Sequence, residues 1–193
     1  MTNTRIFRRI NTIETSMIAA TFNTISPELR PILENIKNLL YILITNSTPQ
    51  KDYPSIYLIT GDQQKLINEV NNINRIYAAG LYFGFLKKGI FYISMEGVEN
   101  LQKNGIFTNF KQLCLTKSGE KSFLYGNNIL KNMVKKSPLN LNEKDFLIIF
   151  NDIDEIVGLG ISRVNNETIS KIKSNDVFAI NISDKGQYLR RKQ

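Results

Sequence analysis

The apolar residues of this chain come in short blocks, the longest being LLYILI (residues 39–44) and FLIIF (residues 146–150), each closed by polar or turn-forming residues. Blocks of this length build short strands and helices. They fall far short of the roughly 20 apolar residues that a membrane-spanning helix needs. The basic cluster Arg5, Arg8 and Arg9 is followed by neither a long apolar stretch nor a small-residue cleavage site, so no signal peptide is expected. A chain of 193 residues has room for one large domain or two small ones, and a hydrophobic fraction of 42% suffices for packed cores.

The pattern along the chain predicts two regions of different character. Residues 4–22 open with weak strand character and pass into a helical pattern in TIETSMIAATF. Ser26-Pro27 predicts a helix start, with Leu29, Ile32, Leu33, Ile36, Leu39 and Leu40 as its apolar stripe, although Pro31 allows a later start. A strand over residues 41–45 leads into the polar loop NSTPQKDYP, and SIYLIT is the next strand. Asp62 is a candidate cap for a helix whose inner face is Leu66, Ile67, Val70 and Ile73. Residues 77–86 and 90–94 read as a hairpin turning at Lys87-Lys88-Gly89. A short helix with Val98 and Leu101 inward should end at Gly105, and a strand over residues 111–115 closes a mixed α/β unit.

The polar segment TKSGE (residues 116–120) predicts the domain boundary. Beyond it, SFLY reads as a short strand, and Gly126-Asn127 breaks that strand and opens a helix. FLIIF, GLGIS, VFAINI and QYLRR read as further strands. Many short strands with one small helix indicate a β-barrel-like domain.

Absences narrow the chemistry. The chain has no His and a single Cys, Cys114. A Ser-His-Asp or Cys-His constellation, an intrachain disulfide and a Cys-rich zinc site are therefore excluded. Cys114 reads as a small buried strand residue. Asp152, Asp154 and Glu155 are the one dense carboxylate group, and a Mg²⁺-dependent nuclease would need such a group. They lie between two strands, where a hairpin needs polar turn formers. Gly158-Leu159-Gly160 lacks the third glycine and the following helix of a dinucleotide fingerprint, so its glycines are expected to permit close strand packing or a bulge.

The charge balance, 25 Lys+Arg against 17 Asp+Glu for a net +8, favours polyanionic partners such as nucleic acid. Two constellations could serve that end. In a helix through residues 128–135, Asn128, Lys131, Asn132 and Lys135 would share one outward face with Lys136 beside them, or simply form a solvated helix face. In a terminal strand, Tyr188, Arg190 and Lys192 would alternate with Gln187, Leu189 and Arg191, and with Leu189 toward the core one face would present an aromatic ring plus two cations. The competing reading is a core Tyr beside a frayed basic tail. Arg163, Lys171 and Lys173 could extend the same patch.

EKSFLYGNNILK (residues 120–131), GLGIS and SDKGQYLRR (residues 183–191), in this order and spacing, resemble the Nip-seven family of large-ribosomal-subunit biogenesis factors. The first motif is specific, and the other two carry weight in combination. A looser collinear likeness through SIYLIT, AAGLYFGFLKKGIFYIS and KQLCLTKSGEKSF extends it over residues 38–191. The resemblance implies an α+β architecture, with a mixed α/β pre-PUA domain over residues 1–117 and a PUA domain over residues 118–193. It further implies a non-catalytic RNA-binding factor for large-subunit pre-rRNA maturation, without metal or cofactor, gripping single-stranded rRNA through the PUA domain. The first domain would engage protein partners in the pre-ribosome or the exosome. Lys131, Lys135, Lys171, Arg190 and Arg191 match the RNA-binding role best, with Lys136, Arg163, Lys173, Tyr188 and Lys192 as neighbours. The first 37 residues depart from the eukaryotic opening and point to an archaeal source, hence a cytoplasmic protein, rather than a nucleolar or nuclear eukaryotic one. The alternative is a PUA adaptor in tRNA modification or translation.

Overall fold

The opening TRIFRR block forms β1 (Thr4–Arg9), which pairs antiparallel along its whole length with β2 (Leu40–Asn46). The structure is a computed structural model that describes residues 4–46, 53–69, 76, 78–105 and 110–190. It divides into two compact units, Met1–Ile106 and Phe107–Gln193. Among the described residues, no helix is long and apolar enough to cross a membrane.

In the first unit β1 and β2 continue through β3 (Ser55–Leu58), β4 (Leu81–Lys87) and β5 (Ile90–Ile93) as a five-stranded antiparallel sheet in sequence order. Helix α1 (Thr12–Ile25) starts with a reciprocal cap: Asn11 Oδ1 accepts from Glu14 N–H at 2.9 Å and Glu14 Oε2 accepts from Asn11 N–H at 2.8 Å. Glu14 also takes a 2.7 Å bond from Arg8, so the cap ties the helix to β1. Phe22 of α1 meets Phe83 and Phe91 edge-on, which fixes α1 to one face of the sheet. On that face, α4 (Met95–Lys103) lies against Phe83 through Gly97. The other face carries Phe7, Tyr41 and Leu43, buried together with Ile59 and with Ile67 of α3 (Gly61–Glu69).

Several expectations are adjusted in this unit. Ser26 is the C-cap of α1, not a helix start, and α2 (Leu29–Ile36) begins at Leu29. Pro31 lies in the first turn of α2, where its missing N–H has no partner to lose. Thr60 caps α3 in place of Asp62, through Gln63 N–H to Thr60 Oγ1 at 3.3 Å and Thr60 N–H to Gln63 Oε1 at 2.9 Å. Ile67 is buried as expected, whereas Leu66 is 62% exposed. Val70, Ile73 and Tyr77 lie outside the described residues. The expected hairpin is present, and Lys88 and Gly89 at φ 50° and 76° supply the two left-handed residues that a two-residue turn of its kind demands.

The second unit begins earlier than the sequence suggested. Its strands are β6 (Gln112–Leu115), β7 (Ile129–Leu130), β8 (Val134–Lys136), β9 (Phe146–Phe150), β10 (Ile156–Ser162) and β11 (Val177–Asp184), in the order β7-β11-β10-β9-β6-β8. β6 runs parallel to β9 and the other pairs are antiparallel. A single 3-10 turn, Lys131–Met133, joins the edge strands β7 and β8, so the sheet wraps into a near-barrel. Leu113, Phe123, Ile129, Leu147, Ile149, Val157 and Phe178 are among the residues of its core.

Four local readings fail here, each for a tertiary reason. Strand β6 belongs to this sheet, not to the first unit. TKSGE and SFLY are one helix, α5 (Lys117–Leu124), whose Gly119 and Phe123 turn inward and whose N-cap Thr116 accepts from Gly119 N–H at 3.1 Å. No helix runs through residues 128–135, because Ile129 and Leu130 pair with β11 and the N–H groups of Lys131 and Asn132 donate to Asp176 O and Ser174 O, each at 3.0 Å. A helix this short gains little on its own, and pairing outweighs it. QYLRR is not a strand: α7 (Gln187–Arg190) is one helical turn closed by Arg190 N–H to Gly186 O. α6 (Asn166–Ile169) adds another short turn between β10 and β11.

Gly158 is needed for close approach, as its sequence context suggested. A Cβ there would lie 2.3 Å from Phe123 Cε1 and 2.6 Å from Ser183 O. Gly158→Val should therefore destabilise the protein by about 1–3 kcal/mol. Gly61→Ala, where nothing lies within 4 Å, should leave the urea midpoint nearly unchanged. Parallel urea unfolding curves of the two variants check this.

Candidate nucleic-acid interface

Among the described residues, the structure divides the cations singled out from sequence into groups at the two ends of β11, with a further pair on β8. Lys131 Nζ donates to Ile172 O at 2.7 Å, which places it beside the exposed Lys171 and Lys173. Arg163, also exposed, donates its N–H to Phe178 O near the start of the same strand. Arg190 sits at the far end, against Asp184. Eight residues of strand from Val177 to Asp184 separate the two groups by about 23 Å. Among the described residues, the terminal strand and the helix through residues 128–135 that were expected to carry these cations are replaced by α7 and by β7, a 3-10 turn and β8. Lys135 and Lys136 are exposed on β8, beside β6. The backbone of Tyr188 lies in α7, its side chain is outside the description, and Arg191 and Lys192 lie outside the described residues.

Arg190 has a structural duty. Its Nη1 and Nη2 donate to Asp184 Oδ1 and Oδ2 at 3.0 and 2.8 Å, and Nη1 also donates to Leu124 O at the end of α5. The hydrogen bonds to Asp184 hold this guanidinium even more firmly protonated than usual. Asp184 is 3% exposed and also accepts from Asn181 Nδ2 at 3.0 Å. The same Asn181 amide donates to Phe123 O and Asn127 O, and its N–H donates to Asn128 Oδ1 at 3.1 Å. Asp184, Asn181 and Arg190 thus clamp the loop that follows α5.

That loop carries what the sequence reading missed. Gly126, at φ 92°, ends α5 with the two bonds of a Schellman stop, Gly126 N–H to Phe123 O at 2.8 Å and Asn127 N–H to Ser122 O at 3.4 Å. Just before it, Tyr125 stands 67% exposed, and Asn127 and Asn128 are exposed after it. Lys117, Lys121 and Tyr125 follow at four-residue steps and share one outer face of the helix end. An exposed ring for a base, amides for base or sugar edges and ammonium groups for phosphates are what single-stranded RNA recognition requires. The signal was present in Thr116 as a cap and Gly126 as a stop, but the apolar block FLY within SFLY favoured a strand.

The carboxylates Asp152, Asp154 and Glu155 occupy the β9–β10 turn, organised by Asn151. Its Oδ1 accepts from Ile153 and Glu155 N–H, and its Nδ2 donates to Glu155 Oε2 and Glu120 Oε1. Cys114, half-buried in β6, places its Sγ 3.2 Å from Asn151 O.

Comparison with known proteins agrees with this architecture. Residues 111–193 match the family model described as UPF0113 PUA domain. A UPF0113 protein of Archaeoglobus fulgidus is 27% identical over 153 residues, covering 79% of this chain and 80% of the relative. The 60S ribosome subunit biogenesis protein NIP7 of Saccharomyces cerevisiae is 26% identical over 160 residues, covering 80% of this chain and 84% of its own. Among solved structures, a hypothetical protein from Pyrococcus horikoshii superposes with a TM-score of 0.60 at 11% identity, covering 93% of this chain and 94% of that one. A conserved PUA domain protein from Thermoplasma acidophilum does so with a TM-score of 0.57 at 13% identity, over 97% and 99%. The second unit thus matches the UPF0113 PUA domain model and has a PUA-like fold, and the chain is similar over most of its length to the UPF0113 and NIP7 proteins.

Proposed function

We propose that this chain is an RNA-binding factor for maturation of the large ribosomal subunit, and that it grips single-stranded rRNA without catalysing a reaction. The observation that carries the proposal is the exposed Tyr125 at the tip of the lysine-bearing helix α5, on a PUA domain. The loop beneath that ring is held by Asn181 and by the Asp184–Arg190 pair, so the surface is ordered before RNA arrives. The net charge of +8 supplies long-range attraction. The cations at the other end of β11, Lys131, Arg163, Lys171 and Lys173, form a second basic region along which an RNA backbone can continue. A chain without histidine lacks the commonest general acid and base, which agrees with a binding role. The ribosomal context follows from the relatives named as 60S biogenesis proteins. Protein contacts of the assembling particle fall to surfaces outside this patch, the first unit among them.

Fluorescence anisotropy with a labelled single-stranded RNA tests the reading. With three to five phosphate contacts, log K against log salt should slope about −2 to −4, and a flat line would exclude an electrostatic grip. Tyr125→Ala should weaken binding by about 1–3 kcal/mol, the contribution of one stacked base, without lowering the melting temperature. Arg190→Ala should lower both RNA affinity and melting temperature, because it releases the loop. Lys171→Ala should leave the melting temperature unchanged. RNA crosslinked in cells and sequenced should be rRNA, and recovery of tRNA alone would remove the ribosomal assignment.

A further inference from the structure

Among the described residues, the face of the first sheet that carries Phe7, Tyr41 and Leu43 is covered only in part. Residues Ile59, Ile67, Ile76 and Ala79 close over those three side chains and Tyr57. Toward the β4–β5 hairpin, three rings stand in a row: Tyr53 on Phe85 with centroids 5.6 Å apart and planes 23° from parallel, and Phe85 on Tyr92 at 5.1 Å and 9°. Phe85 and Tyr92 are direct cross-strand partners. Ser55, opposite Phe85 on β3, is small enough for Tyr53 to lean over it. Tyr53 is 47% exposed and Tyr92 36%. Lys87 places its Nζ 4.9 Å from the centre of the Tyr53 ring, and Lys88 is exposed in the adjoining turn.

Aromatic rings on a solvent-facing sheet surface add little to a core already closed elsewhere, so the row calls for an occupant. Two chemistries fit a row of rings: an apolar protein surface or the bases of a nucleic acid. The charge decides between them. Residues 53–61 and 78–95, which contain β3, β4 and β5, hold Lys87 and Lys88 and no carboxylate. The near-parallel rings already have the geometry of a base stack. Tyr92 lies on the edge strand, and among the described residues Phe85 is the ring it stacks on, so a flat base can extend the row outward.

We propose that the Tyr53–Phe85–Tyr92 row is a second RNA contact, a platform on which unpaired bases stack while Lys87 and Lys88 hold the adjoining phosphates. It extends the RNA-binding reading from the second unit to the first and rests on that reading. Stacking on aromatic side chains tolerates any base, so this site contributes affinity and register without sequence preference.

The chain contains no tryptophan, so Tyr92→Trp introduces a single indole at the platform. With the full chain and a labelled single-stranded RNA oligonucleotide, indole fluorescence should be quenched in step with the anisotropy rise. Tyr53→Ala combined with Tyr92→Ala should weaken binding about ten-fold. Lys88→Asn, which keeps a residue tolerant of the left-handed turn, should make the salt slope shallower. If RNA binds while the indole stays unquenched and the double variant keeps wild-type affinity, the platform is not an RNA site and the row is left for a protein, with the PUA-domain reading intact. If the unaltered chain binds no RNA, both readings fall, and the flat anisotropy curve identifies that case.

Discussion

The second unit is organised by one contact, the fully buried ring of Phe123 against the backbone of Gly158. A side chain at position 158 would fill the space the ring occupies, so helix α5 docks at this depth only because β10 carries glycine there. The seating of α5 then sets everything that follows it. Gly119 comes so close to the 3-10 turn that a Cβ would lie 2.6 Å from Met133 Cβ, which fixes the helix at its other end. Between these two contacts the helix cannot rotate, and its outer face, with Lys117, Lys121 and Tyr125, has one possible orientation.

The polar clamp beyond the helix is built on the same placement. Asn181 can donate to the carbonyls of Phe123 and Asn127 only because the helix ends beside β11. Asp184 is nearly buried, and a buried carboxylate is tolerated when its oxygens are paired and hydrogen-bonded. Arg190 and Asn181 meet that need, and in doing so they fasten the C-terminal turn to the loop that presents Tyr125. An arginine whose fork is engaged with a carboxylate is a poor point of contact for phosphate. In the proposed RNA site its part is to hold the loop, while the charge is left to the exposed lysines.

The first unit solves a different problem, that of covering both faces of a sheet with few helices. Helices α1 and α4 close one face through Phe22, Phe83 and Phe91. Glu14 serves there both as part of the helix cap and as the partner of Arg8, so one carboxylate joins helix start to edge strand. On the other face, among the described residues, one short helix, α3, covers the β1–β3 side and leaves a row of rings exposed at the hairpin end. Sparse covering of this kind leaves surface available for recognition.

The sequence by itself determined most of the strands, because alternation and turn chemistry are local. Residues 41–45, the first four residues of SIYLIT, and FLIIF, GLGIS and VFAINI fall on strands, and Lys87-Lys88-Gly89 turns as its residue types require. It also determined the absence of histidine chemistry, and through its motifs the likeness to a ribosome-biogenesis family. What it did not determine was the state of short segments with mixed signals. SFLY becomes helical because Phe123 finds Gly158, residues 129–130 become a strand because β11 offers them an open edge, and QYLR becomes a helical turn because Arg190 finds Asp184. In each case the local preferences are nearly balanced, so a single long-range contact tips them. The site followed suit: Lys131, Arg163, Lys171 and Lys173 came to lie at one end of β11 and Arg190 at the other, while Tyr125 was turned outward by a helix that only the packed barrel stabilises.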